Sequence, residues 1–171
     1  LMNKGLEVIE AKWLFGVEAD CIEVVVHPQS IVHSMVSFKD GAVMAQLGVP
    51  DMRGAIAYAL TYPERLDIGV SMPNFFDIGS LSFQPPDAER FPCLRLAFQS
   101  CLQGGTLPAV MNAANEVAVA AFLKRDIHFT AIPEVIEDAM DQVKFVAHPG
   151  LEALLAADRQ AREAAGRAVL Q

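Results

Sequence analysis

Basic charge is in short supply in this chain. Its 13 Lys and Arg stand against 21 Asp and Glu, a net charge of −8. A field of that sign repels phosphate backbones and anionic lipid, which argues against nucleic acid or a membrane surface as a partner. It does not oppose a small phosphorylated substrate, because one well-placed cation outweighs a diffuse global field. Cysteine is also scarce: Cys21, Cys93 and Cys101 are odd in number and form no C-x-x-C pair, so neither a disulfide framework nor a zinc site is signalled. Reduced thiols in a cytosolic, cytoplasmic setting are the expectation. No apolar run reaches the roughly 18 residues needed to span a bilayer. No signal peptide is visible, although the chain opens inside a motif and its true start stays open. Glycine-rich G-x-G-x-x-G and metal-binding H-E-x-x-H or H-x-H strings are missing, as are internal repeats and low-complexity stretches.

What is present describes an ordinary folded protein. At 171 residues the chain fits one or two small domains. Its hydrophobic fraction of 53% against 20% charged is slightly apolar, as suits a piece that packs against further protein. The pattern predicts a helix from about Asn3 to Phe15, stopping near Gly16. Cys21 to Val26 reads as a short buried strand, ended where Pro28 restricts His27. His33 to Lys39 and Ala42 to Leu47 read as a hairpin with a two-residue turn at Asp40-Gly41. Asp51 is placed to cap a helix reaching about Tyr62. Residues 63–87, with Pro63, Pro73, Pro85 and Pro86, read as a linker that packs along a surface through Leu66, Phe75, Phe76, Leu81 and Phe83. Four helices follow: Pro92 to Gln103; one capped by Thr106 and running to Lys124; one capped by Thr130 with a stripe of Val135, Ile136, Ala139 and Val143; and one opened by Pro149 and running to about Val169. Helices of ten to twenty residues with short loops suggest an antiparallel bundle.

Chemistry gathers at the start of the chain. Asn3, Lys4 and Glu7 lie on one arc of the first helix, while Leu6, Ile9, Trp13 and Leu14 lie roughly on another that can be buried. A helix start offers backbone N–H groups to an anion. A neutral donor and a cation beside it make a phosphate grip, and Glu7 can give one oxygen to a hard metal ion. The plainer alternative is a solvated first turn with a Lys–Glu pair. In the bundle, Asn112, Asn115 and Glu116 interrupt an apolar helix and read as hydrogen-bonded contacts between elements. His128 and His148 fall at loops beside helix ends, and the methionines read as packing residues, with Met52 set apart in a loop beside Pro50.

The wording of four blocks adds what spacing cannot. Asn3-Lys4-Gly5-Leu6-Glu7-Val8-Ile9-Glu10-Ala11, His27-Pro28-Gln29-Ser30-Ile31-Val32-His33-Ser34-Met35, Gln46-Leu47-Gly48-Val49-Pro50-Asp51-Met52-Arg53 and Asn112-Ala113-Ala114-Asn115-Glu116 resemble, in order and approximate spacing, the second half of the 1-deoxy-D-xylulose 5-phosphate reductoisomerase family. The resemblance implies an NADPH-dependent, Mg²⁺- or Mn²⁺-requiring oxidoreductase of non-mevalonate isoprenoid biosynthesis. Such an enzyme isomerises its phosphorylated substrate and reduces the resulting aldehyde to 2-C-methyl-D-erythritol 4-phosphate. It further implies that Asn3 and Lys4 bind the phosphate and neighbouring hydroxyls, and that Glu7 is one of three metal carboxylates. Ser30 and His33 would line the site, with His33 influencing substrate binding. Pro50 and Met52 would sit against the nicotinamide and the substrate backbone. Lys4, Glu7 and His33 are therefore the catalytic candidates. Val49 departs from an acidic residue in some relatives.

The fold so implied is α+β. A partial α/β catalytic (connective) domain with a small sheet covers residues 1–62, a linker covers 63–87, and a C-terminal antiparallel four-helix bundle covers 88–171. A homodimer contacting through the sheet, with residues 33–48 as an edge, is expected of the family. With one metal carboxylate and no dinucleotide-binding motif, the 171 residues alone are expected to be inactive. The alternative is a helical binding or assembly module without a catalytic role. A metal-dependent hydrolase built on Glu7 with His27 or His33 lacks any ligand pair at suitable spacing.

Overall fold

The computed structural model describes residues 1–170. The α+β expectation holds: helices dominate, beside one small antiparallel sheet. By packing, the chain falls into two units. One joins Leu1–Val24 to the segment from Asp87 onward, and the other is Val25–Pro86. The expected segmentation at residues 62 and 87 concerns domains of a whole protein; packing instead places the first helix with the bundle.

In the first unit, α1 (Met2–Phe15) ends on Gly16 in the left-handed conformation, φ 62°. That is the Cβ-free stop a helix C-terminus favours. Leu6 and Ile9 pack on the core as expected, but Trp13 and Leu14 do not. Trp13, Leu14 and Phe15 are 76, 78 and 75% exposed. A 3₁₀ turn at Ala19–Cys21 follows. The expected strand from Cys21 to Val26 does not form. With no parallel or antiparallel neighbour along it, Ile22 and Val24 instead pack against Val8, Ala19 and Cys101.

The bundle comprises α4 (Pro92–Gln103), α5 (Leu107–Lys124), α6 (Ile132–Gln142) and α7 (Leu151–Val169). Helix α5 packs against α4, α6 and α7, α6 packs against α7, and α1 lies along α4. The core holds Leu96, Met111, Ile136 and an alanine stripe on α7 (Ala157, Ala161, Ala164 and Ala165). The stripe predicted for α6 is buried in full. Two predicted caps are not made. Thr106 precedes α5, but its side chain makes no cap. Its hydroxyl accepts from the Val146 N–H at 3.1 Å and its own N–H donates to the Val146 carbonyl at 3.0 Å, tying the loop after α6 to the start of α5. Thr130 lies inside a 3₁₀ turn, Phe129–Ala131, that leads directly into α6. Gly105 makes room for the Val146 carbonyl beside Thr106. Its φ is 57°, and a Cβ there would strike the Val146 carbonyl and come within 2.7 Å of the Phe145 ring.

The second unit is open. Strands β1 (Val32–Ser37) and β2 (Val43–Leu47) form an antiparallel hairpin. The turn is longer than the two residues expected. Phe38 pairs with Ala42, the Gly41 N–H donates to the Phe38 carbonyl at 3.0 Å, and Gly41 takes φ 86°. This is the three-residue loop in which glycine occupies the left-handed position. Helix α2 (Met52–Thr61) starts at Asp51, whose carboxylate accepts from the Arg53 N–H at 2.8 Å as expected of a cap. The stretch read as a linker contains one short helix, α3 (Phe75–Ile78), and a single bridge from Gln84 to Val26.

Candidate functional site

The two units carry separate sets of chemistry-bearing residues. In the first unit, Asn3, Lys4 and Glu7 lie on the first two turns of α1. Met2, Leu6, Val8 and Ile9 turn inward, which leaves the polar trio on the opposite arc. Lys4 Nζ donates to Glu7 Oε2 at 2.6 Å, with both side chains roughly half exposed. Lys4 and Glu7, two of the trio predicted from spacing, are thus brought together in a charge-assisted pair.

The polar residues of α5 behave as contacts. Asn112 donates to Glu116 at 3.1 Å, and Arg162 of α7 bridges Glu116 and Asp158, each at 2.8 Å. Those two carboxylates hold the Arg162 guanidinium even more firmly protonated than usual. The Asn115 Oδ1 is buried and has no hydrogen-bond partner among the described residues.

In the second unit the His27-Pro28-Gln29-Ser30 block is a turn. The Ser30 N–H donates to the His27 carbonyl at 3.0 Å, and Ser30 adopts φ 52°, a left-handed conformation uncommon outside glycine. Such strain persists only where the surroundings hold it, and it gathers at functional sites. His27 is anchored: Nδ1 lies 2.8 Å from the Ser82 carbonyl, which can only accept, so Nδ1 carries the proton. Its ring stacks on Phe83 at 4.8 Å, and Gln29 Nε2 donates to the Ser82 hydroxyl at 2.9 Å. His27 thus ties its turn to the segment at Ser82 and Phe83, and not to the end of a strand, since none forms before it.

His33 has a setting that no sequence signal revealed. Val32 pairs with Leu47 and Ser34 with Gln46, so His33 is the extra residue of a bulge on β1. Bulges re-aim one side chain out of the sheet's alternation. The imidazole lies beside Gly48, where an added Cβ would stand 3.6 Å from Nε2. Pro50 lies on the loop into α2, whereas Met52, expected in that loop, is the first residue of the helix; both are exposed, Met52 at 70%. The Asp51 carboxyl between them is held below its ordinary range by hydrogen bonds from the Arg53 side chain and backbone.

Neither a metal nor a dinucleotide finds a complete seat in these residues. Glu7 supplies one carboxylate, and no group of three His, Cys, Asp or Glu side chains suited to a metal ion occurs among the described residues. No glycine-rich phosphate loop is present in the sequence. Among the described residues no helix is long and apolar enough to cross a membrane.

Known proteins with similar sequence and structure give these fragments of a site a context. Residues 47–164 match the family profile described as DXP reductoisomerase C-terminal domain. The 1-deoxy-D-xylulose 5-phosphate reductoisomerase of Desulfosudis oleivorans is 60% identical over 97% of this chain and 43% of its own length. That of Pseudomonas aeruginosa is 56% identical over 98% of this chain and 42% of its own. The solved reductoisomerase from Zymomonas mobilis in complex with NADPH superposes with a TM-score of 0.89 at 45% identity, covering 99% of this chain and 45% of that one. A DOX-P reductoisomerase in complex with NADPH, fosmidomycin and magnesium gives 0.91 at 41%, covering 99% and 44%. The chain spans less than half the length of the curated relatives it matches.

Proposed function

The chain belongs to the DXP reductoisomerase family, and on that premise we propose that it forms the C-terminal portion of an enzyme converting 1-deoxy-D-xylulose 5-phosphate to 2-C-methyl-D-erythritol 4-phosphate with NADPH and Mg²⁺ or Mn²⁺. The observation that supports the reading is the pairing of Lys4 with Glu7 on the exposed arc of α1. Lys4 and Asn3 bind the substrate's phosphate and adjacent hydroxyls. Glu7 gives one oxygen to the divalent ion, whose remaining protein ligands come from outside these residues. When bound, that ion supplies Lewis-acid polarisation of the substrate oxygens.

The second unit carries the remaining candidates. Ser30 offers a hydroxyl from a strained turn, and His33, raised out of the ladder by its bulge, hydrogen-bonds the bound substrate. Pro50 and Met52 form an apolar wall for the nicotinamide, keeping water from the transferred hydride. The partner set follows the same reading: a phosphorylated sugar-like substrate, no nucleic acid, and a second copy of the enzyme through the exposed hairpin. A cytoplasmic location belongs to the same proposal.

The test is NADPH oxidation driven by 1-deoxy-D-xylulose 5-phosphate. In the full-length protein Lys4→Met is expected to raise the substrate KM and Glu7→Gln the Mg²⁺ requirement, each by about 100-fold. The 171-residue chain alone is expected to show no turnover. Unchanged constants in both variants, or activity from the short chain, would sink the reading.

A further inference from the structure

Gly5 is buried at the middle of the inward face of α1, between Lys4 and Leu6 and opposite the arc of Asn3, Lys4 and Glu7. A Cβ built on it would collide with the Ala97 Cβ of α4. Around that point the fit is otherwise ordinary, with the Cys93 carbonyl at 3.6 Å and the Ala97 Cα at 3.9 Å. Ala97 itself has no exposed surface. The two helices therefore touch backbone to methyl, closer than any pair of larger residues would permit. On either side Met2, Leu6 and Ile9 pack into the bundle core, and Val8 packs with Ala19 and Cys101. The first turns of α1 are thus clamped along one side, and a helix is too stiff to yield at one residue.

We propose that Gly5 and Ala97 are positioning residues for the substrate, fixing the height of Lys4 and Glu7 through the contact of α1 with the C-terminal bundle. This rests on the reading of that turn as a phosphate and metal grip. Relieving the clash of an added methyl requires the helices to part by about 1 Å. Lys4 and Glu7 ride on the same rigid turn and move with it. A displacement of that size at a charge grip costs one to two orders of magnitude in effectiveness by about the usual measure. The bundle, which carries no other assigned chemistry, becomes the platform on which half of the polar site is levelled.

The test uses the full-length reductoisomerase carrying this sequence. Gly5→Ala is expected to raise both the KM for 1-deoxy-D-xylulose 5-phosphate and the Mg²⁺ concentration for half-maximal rate about tenfold, with the KM for NADPH changed by less than about twofold. Alanine is the better helix former, so in the absence of the contact the same change would stabilise α1 and leave the constants alone. Ala97→Gly, which loosens the contact without a clash, is expected to raise the same two constants about threefold, and it serves as the test if Gly5→Ala does not fold. The swapped pair, Gly5→Ala with Ala97→Gly, moves one methyl across the contact and is expected to return both constants to within about twofold of the parent. Unchanged constants in the single variants, or a swapped pair as impaired as Gly5→Ala, overturn the proposal. So does a fall in melting temperature with no selective change in the two constants. Lys4→Met and Glu7→Gln separate this from the reading beneath it. If they impair the two constants while the Gly5 and Ala97 variants do not, only the positioning role falls; if they impair nothing, the grip itself is wrong.

Discussion

The two units of this chain bury their apolar residues to opposite extents. In the helical unit Ala97, Met111, Ile136 and Ala161 have no exposed surface. In Val25–Pro86, Ile31 is the one hydrophobic side chain buried among the described residues, while Met44, Leu60, Met72 and Phe76 are 67, 81, 89 and 97% exposed. Helices gain most of their stability from packing an apolar face, and the bundle provides that for α4 to α7. A two-stranded hairpin on its own is marginal, and β1 and β2 expose side chains on both faces. Chemistry is divided along the same line. Lys4 and Glu7 ride on a helix clamped to a core, whereas Ser30, His33 and Pro50 sit on a turn, a bulge and a loop, and Met52 on the first turn of α2.

The sharpest way to break the comparison is to truncate one side chain in each unit. Ile136→Ala removes a fully buried side chain and is expected to cost about 2–5 kcal/mol in urea unfolding followed by helical circular dichroism. Met44→Ala, on an exposed strand, is expected to stay within about 0.5 kcal/mol. Equal effects would mean that the hairpin shares the bundle's cooperativity. Hydrogen exchange reads the same contrast without substitution. Amides of α5 and α6 are expected to exchange only through global unfolding, and those of β1 and β2 by local opening, at least about 100-fold faster. Comparable protection in both units would abolish the distinction.

The bundle was legible because each of its signals is local. Gly104 after Gln103, Pro108 after Leu107 and the stripe on α6 mark ends and faces through the residues that perform them. Lys4 and Glu7 were legible for the same reason, since helical spacing alone brings them together. The misreadings depended on partners remote in sequence. Thr106 has the chemistry of a cap but spends its hydroxyl on Val146, 40 residues away. Cys21 to Val26 has the composition of a strand but no neighbour to form a ladder with, and so makes one bridge at Val26. The bulge at His33 arises from a register mismatch with Gln46 and Leu47, which alternation cannot reveal. Gly5 likewise meets Ala97, a partner more than 90 residues away that no local pattern reveals.

A smaller effect separates the bundle's polar contacts from its core. Arg162 joins Glu116 and Asp158, yet all three side chains are at least a third exposed. Water and salt screen such pairs, so Glu116→Gln is expected to cost at most about 1 kcal/mol, shrinking further in 1 M salt. A loss as large as that of Ile136→Ala would show that the network, and not the apolar stripe, holds α5 to α7.

The smallest effect lies in the open unit, at the start of α2, and it has a definite sign with pH. Asp51 caps that helix, and the side-chain and backbone hydrogen bonds from Arg53 hold its carboxyl below the ordinary value of 3.8. A group whose folded pKa is depressed stabilises the fold above its unfolded value and loses that contribution as pH falls through the folded one. Arg53 stays cationic throughout, so only the carboxylate titrates in this window. Protection of the Arg53 amide should therefore be flat from neutral pH down to about 4 and decline below it. Asp51→Asn keeps a capping oxygen but no charge, and should remove the pH dependence while leaving the helix start in place. A decline that begins well above pH 4, or that persists in Asp51→Asn, would assign the titration to another group and leave the cap without its ionic partner.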